Sequence, residues 1–301
     1  MALPAYTALL HEKVQRHILN ALLQDGHPTE PSAETLETAA SAVVSSLPTS
    51  GIGVEALAQH LIADIVPGLS GSALSSHYYG FVTGGITPAA YVAENLVSTY
   101  DQNVQIHLPQ QSIATIVEDK ALIMLLDMLH LDSSEWGART FTTGATASNI
   151  LGIACGREQI ILNALRKGRA SGDVTIARVG LISACESAEV RHIQVIATVP
   201  HSSLLKAASL TGLGRDSVID AGREGEEPWL FDFEKLETAL KAPGTASIVS
   251  ISCGEVNSGA FATTGLEDVQ KIRRVCDQYG AWLHVDGGGF CSLTLSINSE
   301  C

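Results

Sequence analysis

Apolar residues recur at helical spacing through the first half of the chain. Residues 1 to 70 divide into helical pieces that end at proline-containing breaks around Pro28, Pro48 and Pro67. A further helix is predicted between residues 110 and 131, where the apolar positions are Ile113, Ile116, Val117, Leu122, Leu125, Leu126 and Leu129. The pattern predicts a helical N-terminal segment over residues 1–100, followed by a different kind of domain.

Beyond residue 131 short apolar runs alternate with helical stretches. Strands are predicted up to Phe141 and at 178–184, 193–199, 246–252 and 281–285, and helices at 148–166, 202–211, 232–241 and 265–279. Alternation of this kind predicts a mostly parallel sheet flanked by helices, the α/β class. Ligands of such sheets bind beyond the carboxyl ends of the strands, so the residues that follow each strand are the candidates for chemistry.

Composition removes several classes of function. The chain has 18 basic and 32 acidic residues, a formal charge of −14, which disfavours nucleic-acid partners. No apolar run reaches the roughly 18 to 20 residues that span a bilayer, and the first residues do not resemble a secretion signal. The six cysteines form no Cys-x-x-Cys pair, so neither a disulfide framework nor a zinc site is expected. Reduced thiols are typical of an intracellular protein, and a cytoplasmic location is therefore expected.

The first candidate segment is FTTGATASN at 141–149. Small residues around Gly144 permit a tight turn, and the hydroxyl side chains stand at the start of a helix whose free N–H groups favour an anion. The segment could therefore bind a phosphate. Ordinary helix capping explains the same hydroxyl groups, so the segment alone decides little.

Two further candidates follow predicted strands. In Pro200-His201-Ser202-Ser203 a serine is predicted to cap the next helix, and an isolated histidine at such a junction is more often structural than catalytic. In WLHVDGG, 282–288, Asp286 follows a buried strand and either presents a carboxylate to a ligand or simply begins a turn. No metal site is predicted, because His284 and Asp286 share a strand face but the sequence offers no third ligand.

Taken in order, these segments resemble the group II pyridoxal-phosphate (PLP) dependent decarboxylases, the family of aromatic-amino-acid, glutamate and tyrosine decarboxylases. The resemblance covers about 210 residues. Its motifs are HYYGFVTGGITPAA at 77–90, FTTGATASN, PHSSLLKAASLTGLG at 200–214, CGEVNSGAF at 253–261 and YGAWLHVDG at 279–287.

The resemblance implies a cofactor, pyridoxal 5'-phosphate, and a role for each candidate. Gly144, Ala145 and Thr146 match the loop that binds the cofactor phosphate. His201 matches the histidine that stacks on the pyridine ring, and Asp286 matches the carboxylate that pairs with the ring nitrogen. A negative partner keeps that nitrogen protonated, so the ring can accept the electrons left when carbon dioxide departs.

The resemblance also implies an organisation and an activity. Residues 101–286 match part of the PLP-binding large domain of fold type I, and residues 1–100 match the helical segment that wraps around the partner in a homodimer. The implied reaction removes the α-carboxylate of an L-amino acid and leaves an amine.

Two departures from the family pattern qualify this prediction. The tail at 287–301 resembles nothing in the family, and no lysine follows Lys271, although the family places its Schiff-base lysine beyond the position of Asp286. Lys206 does not replace it, since related sequences often carry a lysine there as well. The chain is therefore expected to be a truncated, inactive member with an incomplete sheet, prone to instability.

Two other functions stay open at this point. The chain could be a non-catalytic PLP-binding or dimerisation partner of a full-length relative. The segment TTGATAS after a strand also suggests a nucleotide-binding oxidoreductase. This function ranks below the others, because the sequence lacks the motifs Tyr-x-x-x-Lys, Gly-x-Gly-x-x-Gly and Gly-Lys-Ser/Thr.

Overall fold

A computed structural model of the chain describes residues 5–23, 29–75, 78, 85–168, 174–255 and 258–288. Half of the motif at 77–90 and most of the tail at 287–301 lie outside these residues. The chain divides into two compact units, 1–103 and 104–301. Each is described by itself.

The described part of the first unit is helical, as the apolar spacing predicts. Its α-helices are α1 (Ala5–Leu23), α2 (Ala33–Ala42), α3 (Val54–His60) and α4 (Pro88–Tyr100), with a π-helical turn at Leu61–Ile65 and 3₁₀ turns at Val66–Gly68 and Ser72–Leu74. The Thr87 side chain caps α4 by accepting from the Ala90 amide at 3.3 Å. Gln15 joins α1 to α4, since it accepts from the Tyr91 hydroxyl at 2.6 Å.

The second unit is a parallel sheet with helices around it. The helices are α5 (Ala114–Met128), α6 (Ala145–Lys167), α7 (Ile176–Val179), α8 (Leu181–Ser187), α9 (Ser202–Leu210), α10 (Phe233–Leu240) and α11 (Leu266–Tyr279), with a 3₁₀ turn at Arg215–Ser217. The strands are β1 (His192–Ala197), β2 (Val218–Asp220), β3 (Thr245–Ser252) and β4 (Trp282–Asp286). Their order is β2-β1-β3-β4 and every neighbouring pair is parallel, which confirms the predicted α/β class.

Helices cover both faces of the sheet. Successive strand residues point to opposite sides, so neighbouring residues of one strand pack against different helices. On one face Ile248 of β3 packs with residues of α6 and α9, and on the other Val249 packs with residues of α10 and α11. Both side chains are fully buried. This arrangement explains why apolar residues of β1 and β3 occur on both faces and do not alternate strictly with polar ones.

Two glycines allow α6 to lie directly on β4. A Cβ atom at Gly152 would lie 2.4 Å from the His284 ring, and one at Gly156 would lie 2.6 Å from the Trp282 ring. Positions four apart share a helix face and positions two apart share a strand face. Glycine at these positions is therefore what permits the close approach.

Two predicted strands are wrong. The segment 178–184 forms parts of α7 and α8, which separate at Gly180, where φ is +83°. A short apolar run does not distinguish a strand from a buried helix turn, and here the Thr175 side chain caps a helix by accepting from the Arg178 amide. The residues up to Phe141 form no strand, and the Phe141 side chain is exposed rather than buried in the sheet.

Within the described ranges no helix is long and apolar enough to cross a membrane. No group of three or more His, Cys, Asp and Glu side chains there is arranged to hold a metal ion.

Candidate cofactor site at the carboxyl end of the sheet

A cavity of about 120 Å³ lies at the carboxyl ends of β3 and β4. Its lining residues are Ala145, His201, Ser203, Ser252, Gly254, Glu255, Asp286 and Gly288. The cavity thus brings His201 and Asp286 together with the start of α6. Gly144 and Thr146 flank Ala145 in the chain but do not line the cavity.

The start of α6 is shaped by Gly144, which precedes the helix with φ of +149° and ψ of +171°. Only glycine adopts such a conformation without strain. The first amides of a helix lack partners within the helix and carry its positive end. Ala145 lines the cavity, so this end of the helix lies there. The chain after β4 passes close to it, since a Cβ atom added to Gly288 would lie 2.9 Å from the Ala145 Cβ.

The Asp286 carboxylate is held at the last residue of β4. Its Oδ1 accepts from the Gly288 amide at 3.1 Å, and its Oδ2 accepts from Asn149 Nδ2 at 2.8 Å. A carboxylate has about four lone-pair sites, so these two bonds fix its orientation without exhausting its acceptors. It can still accept from an N–H group in the cavity.

His201 stands between β1 and α9 and caps that helix. Its Nδ1 accepts from the Ser203 amide at 3.3 Å and lies 2.8 Å from Ser203 Oγ. The expected serine cap is therefore wrong: extended backbone at His201, with φ of −63° and ψ of +150°, aims its own ring nitrogen at the helix amides.

Two buried polar residues complete the site and were not among the predicted site residues. Asn149 is 2% exposed and Ser203 is 3% exposed. Asn149 Nδ2 donates to Ser203 Oγ at 3.1 Å, and Asn149 Oδ1 lies 2.8 Å from His284 Nε2. Asn149 ends the motif FTTGATASN, and its one sequence signal is an amide placed one turn inside the helix, directly before the apolar run Ile150-Leu151.

Burial has the larger influence on the pKa of His284 and lowers it, while the nearby negative charge of Asp286 raises it. The folded chain therefore binds a proton at His284 less readily than the unfolded chain does. Because proton uptake by the unfolded state lowers the free energy of unfolding, this contribution to stability is present above pH of about 6.5 and is lost as pH falls through the lowered folded value.

We expect His284→Gln to flatten this pH dependence, since glutamine keeps an N–H donor near Asn149 but does not titrate. Urea unfolding between pH 5 and 7.5 measures it. His192→Gln, at the exposed start of β1, controls for the loss of a histidine as such. If the profile of His284→Gln matches that of the unaltered chain, His284 does not carry the dependence.

Comparison with known proteins shows what the chain is similar to. No family model matches it. An L-2,4-diaminobutyrate decarboxylase from Acinetobacter baumannii is 24% identical over 207 residues, 68% of this chain and 38% of that protein. The glutamate decarboxylase domain of a diaminobutyrate-pyruvate transaminase and L-2,4-diaminobutyrate decarboxylase from Vibrio parahaemolyticus superposes with a TM-score of 0.71 at 23% identity. The match covers 95% of this chain and 58% of that one.

A second solved structure, Oryza sativa TDC with PLP and tryptamine, has a TM-score of 0.66 at 21% identity and covers 95% of this chain and 58% of its own. The chain thus spans between a third and three fifths of the length of these relatives. At this identity the likeness shows the fold of the chain, which is that of the fold-type-I PLP-dependent enzymes. The curated relatives also include a glutamate decarboxylase-like protein and a cysteine sulfinic acid decarboxylase, so the chain is similar to the group II decarboxylases that its motifs resemble.

The residues of the cavity fit pyridoxal 5'-phosphate, which the Oryza sativa structure contains. PLP combines an aromatic ring, a ring nitrogen that can carry a proton, and a phosphate. The cavity offers an imidazole, a carboxylate with free lone pairs and a helix start, one for each of these features.

Proposed function

We propose that this chain is the cofactor-binding part of an amino-acid decarboxylase and that it holds PLP by non-covalent contacts. The observation that carries the proposal is the meeting of His201, Asp286 and the start of α6 at one cavity. Groups separated by up to 141 residues in sequence converge there, and their chemistry matches one small ligand.

The three groups at the cavity have different roles in holding the cofactor. The Asp286 carboxylate would accept a hydrogen bond from the protonated ring nitrogen, His201 would contact the ring, and the amides following Gly144 would hold the phosphate. When bound, PLP supplies an electron-accepting ring for removal of an α-carboxylate. Asp286 favours that chemistry because its charge keeps the proton on the nitrogen.

The lysine that joins PLP covalently in the family has no counterpart among the matched positions, since no lysine follows Lys271 in the 301 residues. We therefore propose that these 301 residues bind the cofactor but do not turn over a substrate by themselves. The reaction of the whole protein would convert an L-amino acid to an amine and carbon dioxide, as the name of the Acinetobacter relative indicates for that protein.

Calorimetric titration tests the binding. PLP is expected to bind once per chain with a Kd of about 1 to 100 μM, an affinity within reach of a few charge-assisted contacts. Pyridoxine 5'-phosphate has no aldehyde and should bind within about threefold of PLP, because no lysine bond contributes, whereas pyridoxal without a phosphate should bind at least about tenfold more weakly. Failure of both phosphate esters to saturate the chain would remove the proposal.

The same samples report on assembly. We propose that the protein forms a homodimer in the cytoplasm. An apolar stripe on α4 supports the dimer, since Val92, Leu96 and Tyr100, spaced by four, are 59%, 56% and 71% exposed. Cys155, Cys185 and Cys276 form no disulfide, which suits a reducing compartment. Light scattering should give twice 31.6 kDa, and a mass of 31.6 kDa contradicts the dimer.

A further inference from the structure

We propose that Asn149 is a positioning residue that orients Asp286 and His201 toward the cavity through one buried amide. The proposal rests on the proposed function for the identity of the ligand. The hydrogen-bond network itself does not depend on that identity.

Asn149 reaches β4 because of the helix face on which it lies. Gly152 and Gly156 of the same face bring α6 against His284 and Trp282. One turn earlier, Asn149 meets the end of the strand at Asp286, 137 residues away in sequence. The two glycines thus set the distance, and the amide spans it.

The network admits one arrangement of hydrogens. A carboxylate only accepts, so the atom of Asn149 that lies 2.8 Å from Asp286 Oδ2 is the NH₂ group, and its oxygen faces His284. His284 Nε2 must then donate to Asn149. The lowered pKa of His284 agrees with a neutral ring that carries its proton on Nε2.

The second N–H of the amide extends the arrangement to the other side of the cavity. It donates to Ser203 Oγ, so the Ser203 hydroxyl is free to donate to His201 Nδ1. Since the Ser203 amide also donates to that nitrogen, His201 in its neutral form carries its proton on Nε2. One amide therefore sets the rotation of a carboxylate and supports the tautomer of an imidazole.

An ordinary buried asparagine would contribute to stability without acting through Asp286. A double-mutant cycle separates the two cases, because residues that act through one another are not additive. Asn149→Leu keeps the branching at Cγ and removes the hydrogen bonds, and the control below carries the same increase in size. It is expected to weaken PLP binding about tenfold on its own, but by clearly less in the background of Asp286→Asn, where only its link to His201 through Ser203 is left to lose.

Asn163→Leu is the matched control, since Asn163 lies on the same helix and donates to the Gly280 carbonyl at 3.1 Å, away from the cavity lining. It should leave PLP binding within about twofold. Additive losses for Asn149→Leu and Asp286→Asn, or an equal loss for Asn163→Leu, would overturn the positioning role.

Histidine ring ¹⁵N spectra provide a reading that needs neither PLP nor a stable leucine variant. In the unaltered chain His201 and His284 should both carry the proton on Nε2. Asn149→Asp places a second carboxylate beside His284, so its ring should titrate at a higher pH than in the unaltered chain. A proton on Nδ1 of either ring in the unaltered chain would overturn the network, even if PLP binding had already failed.

Discussion

Asp286→Asn is expected to weaken PLP binding by about 10- to 100-fold, because a hydrogen bond to a charged group contributes about 1.5 to 3 kcal/mol. Asparagine has nearly the same shape and can still accept from the Gly288 amide, as the Oδ1 atom of Asp286 does. What it loses is the charge that keeps the ring nitrogen protonated. Calorimetric titration with PLP at constant ionic strength measures the change.

Asp277→Asn removes the same charge from an exposed position on α11, where Asp277 pairs with Arg273. A surface pair of this kind contributes little, so this control should bind PLP as the unaltered chain does. Equal weakening by the two substitutions would indicate an effect of net charge alone. Undiminished binding by Asp286→Asn would remove Asp286 from the site.

Ile248→Ala is expected to lower the free energy of unfolding by about 2 to 5 kcal/mol, the usual cost of such a cavity in a core. Ile248 is 0% exposed on β3, which lies between β1 and β4. It packs on the face covered by α6 and α9, both of which begin at the cavity. Urea unfolding at neutral pH measures the loss, with the slope of the transition as a check on two-state behaviour.

Ile182→Ala is the matched control, because Ile182 on α8 is 76% exposed and its truncation removes little buried surface. It should change stability by no more than about 0.5 kcal/mol. A loss of less than about 1 kcal/mol for Ile248→Ala would show that the sheet is not packed as described.

Local sequence was sufficient for the elements that border the cavity. The predicted strands at 193–199, 246–252 and 281–285 correspond to β1, β3 and β4, because each is a short, mainly apolar run between turn residues. Residues that follow such strands meet at one sheet edge by topology alone. For that reason His201 and Asp286 could be selected as candidates before any coordinates.

Tertiary structure decided what depends on contacts between distant segments. The run at 178–184 forms helix and the segment before Phe141 forms no strand, since burial and strand partners rather than local pattern determine such short segments. From the sequence, Asn149 could not be distinguished from the other polar residues near the start of α6. Its bonds to Asp286 and Ser203 cross 137 and 54 residues, and only the packing of α6 on the sheet brings those partners within reach.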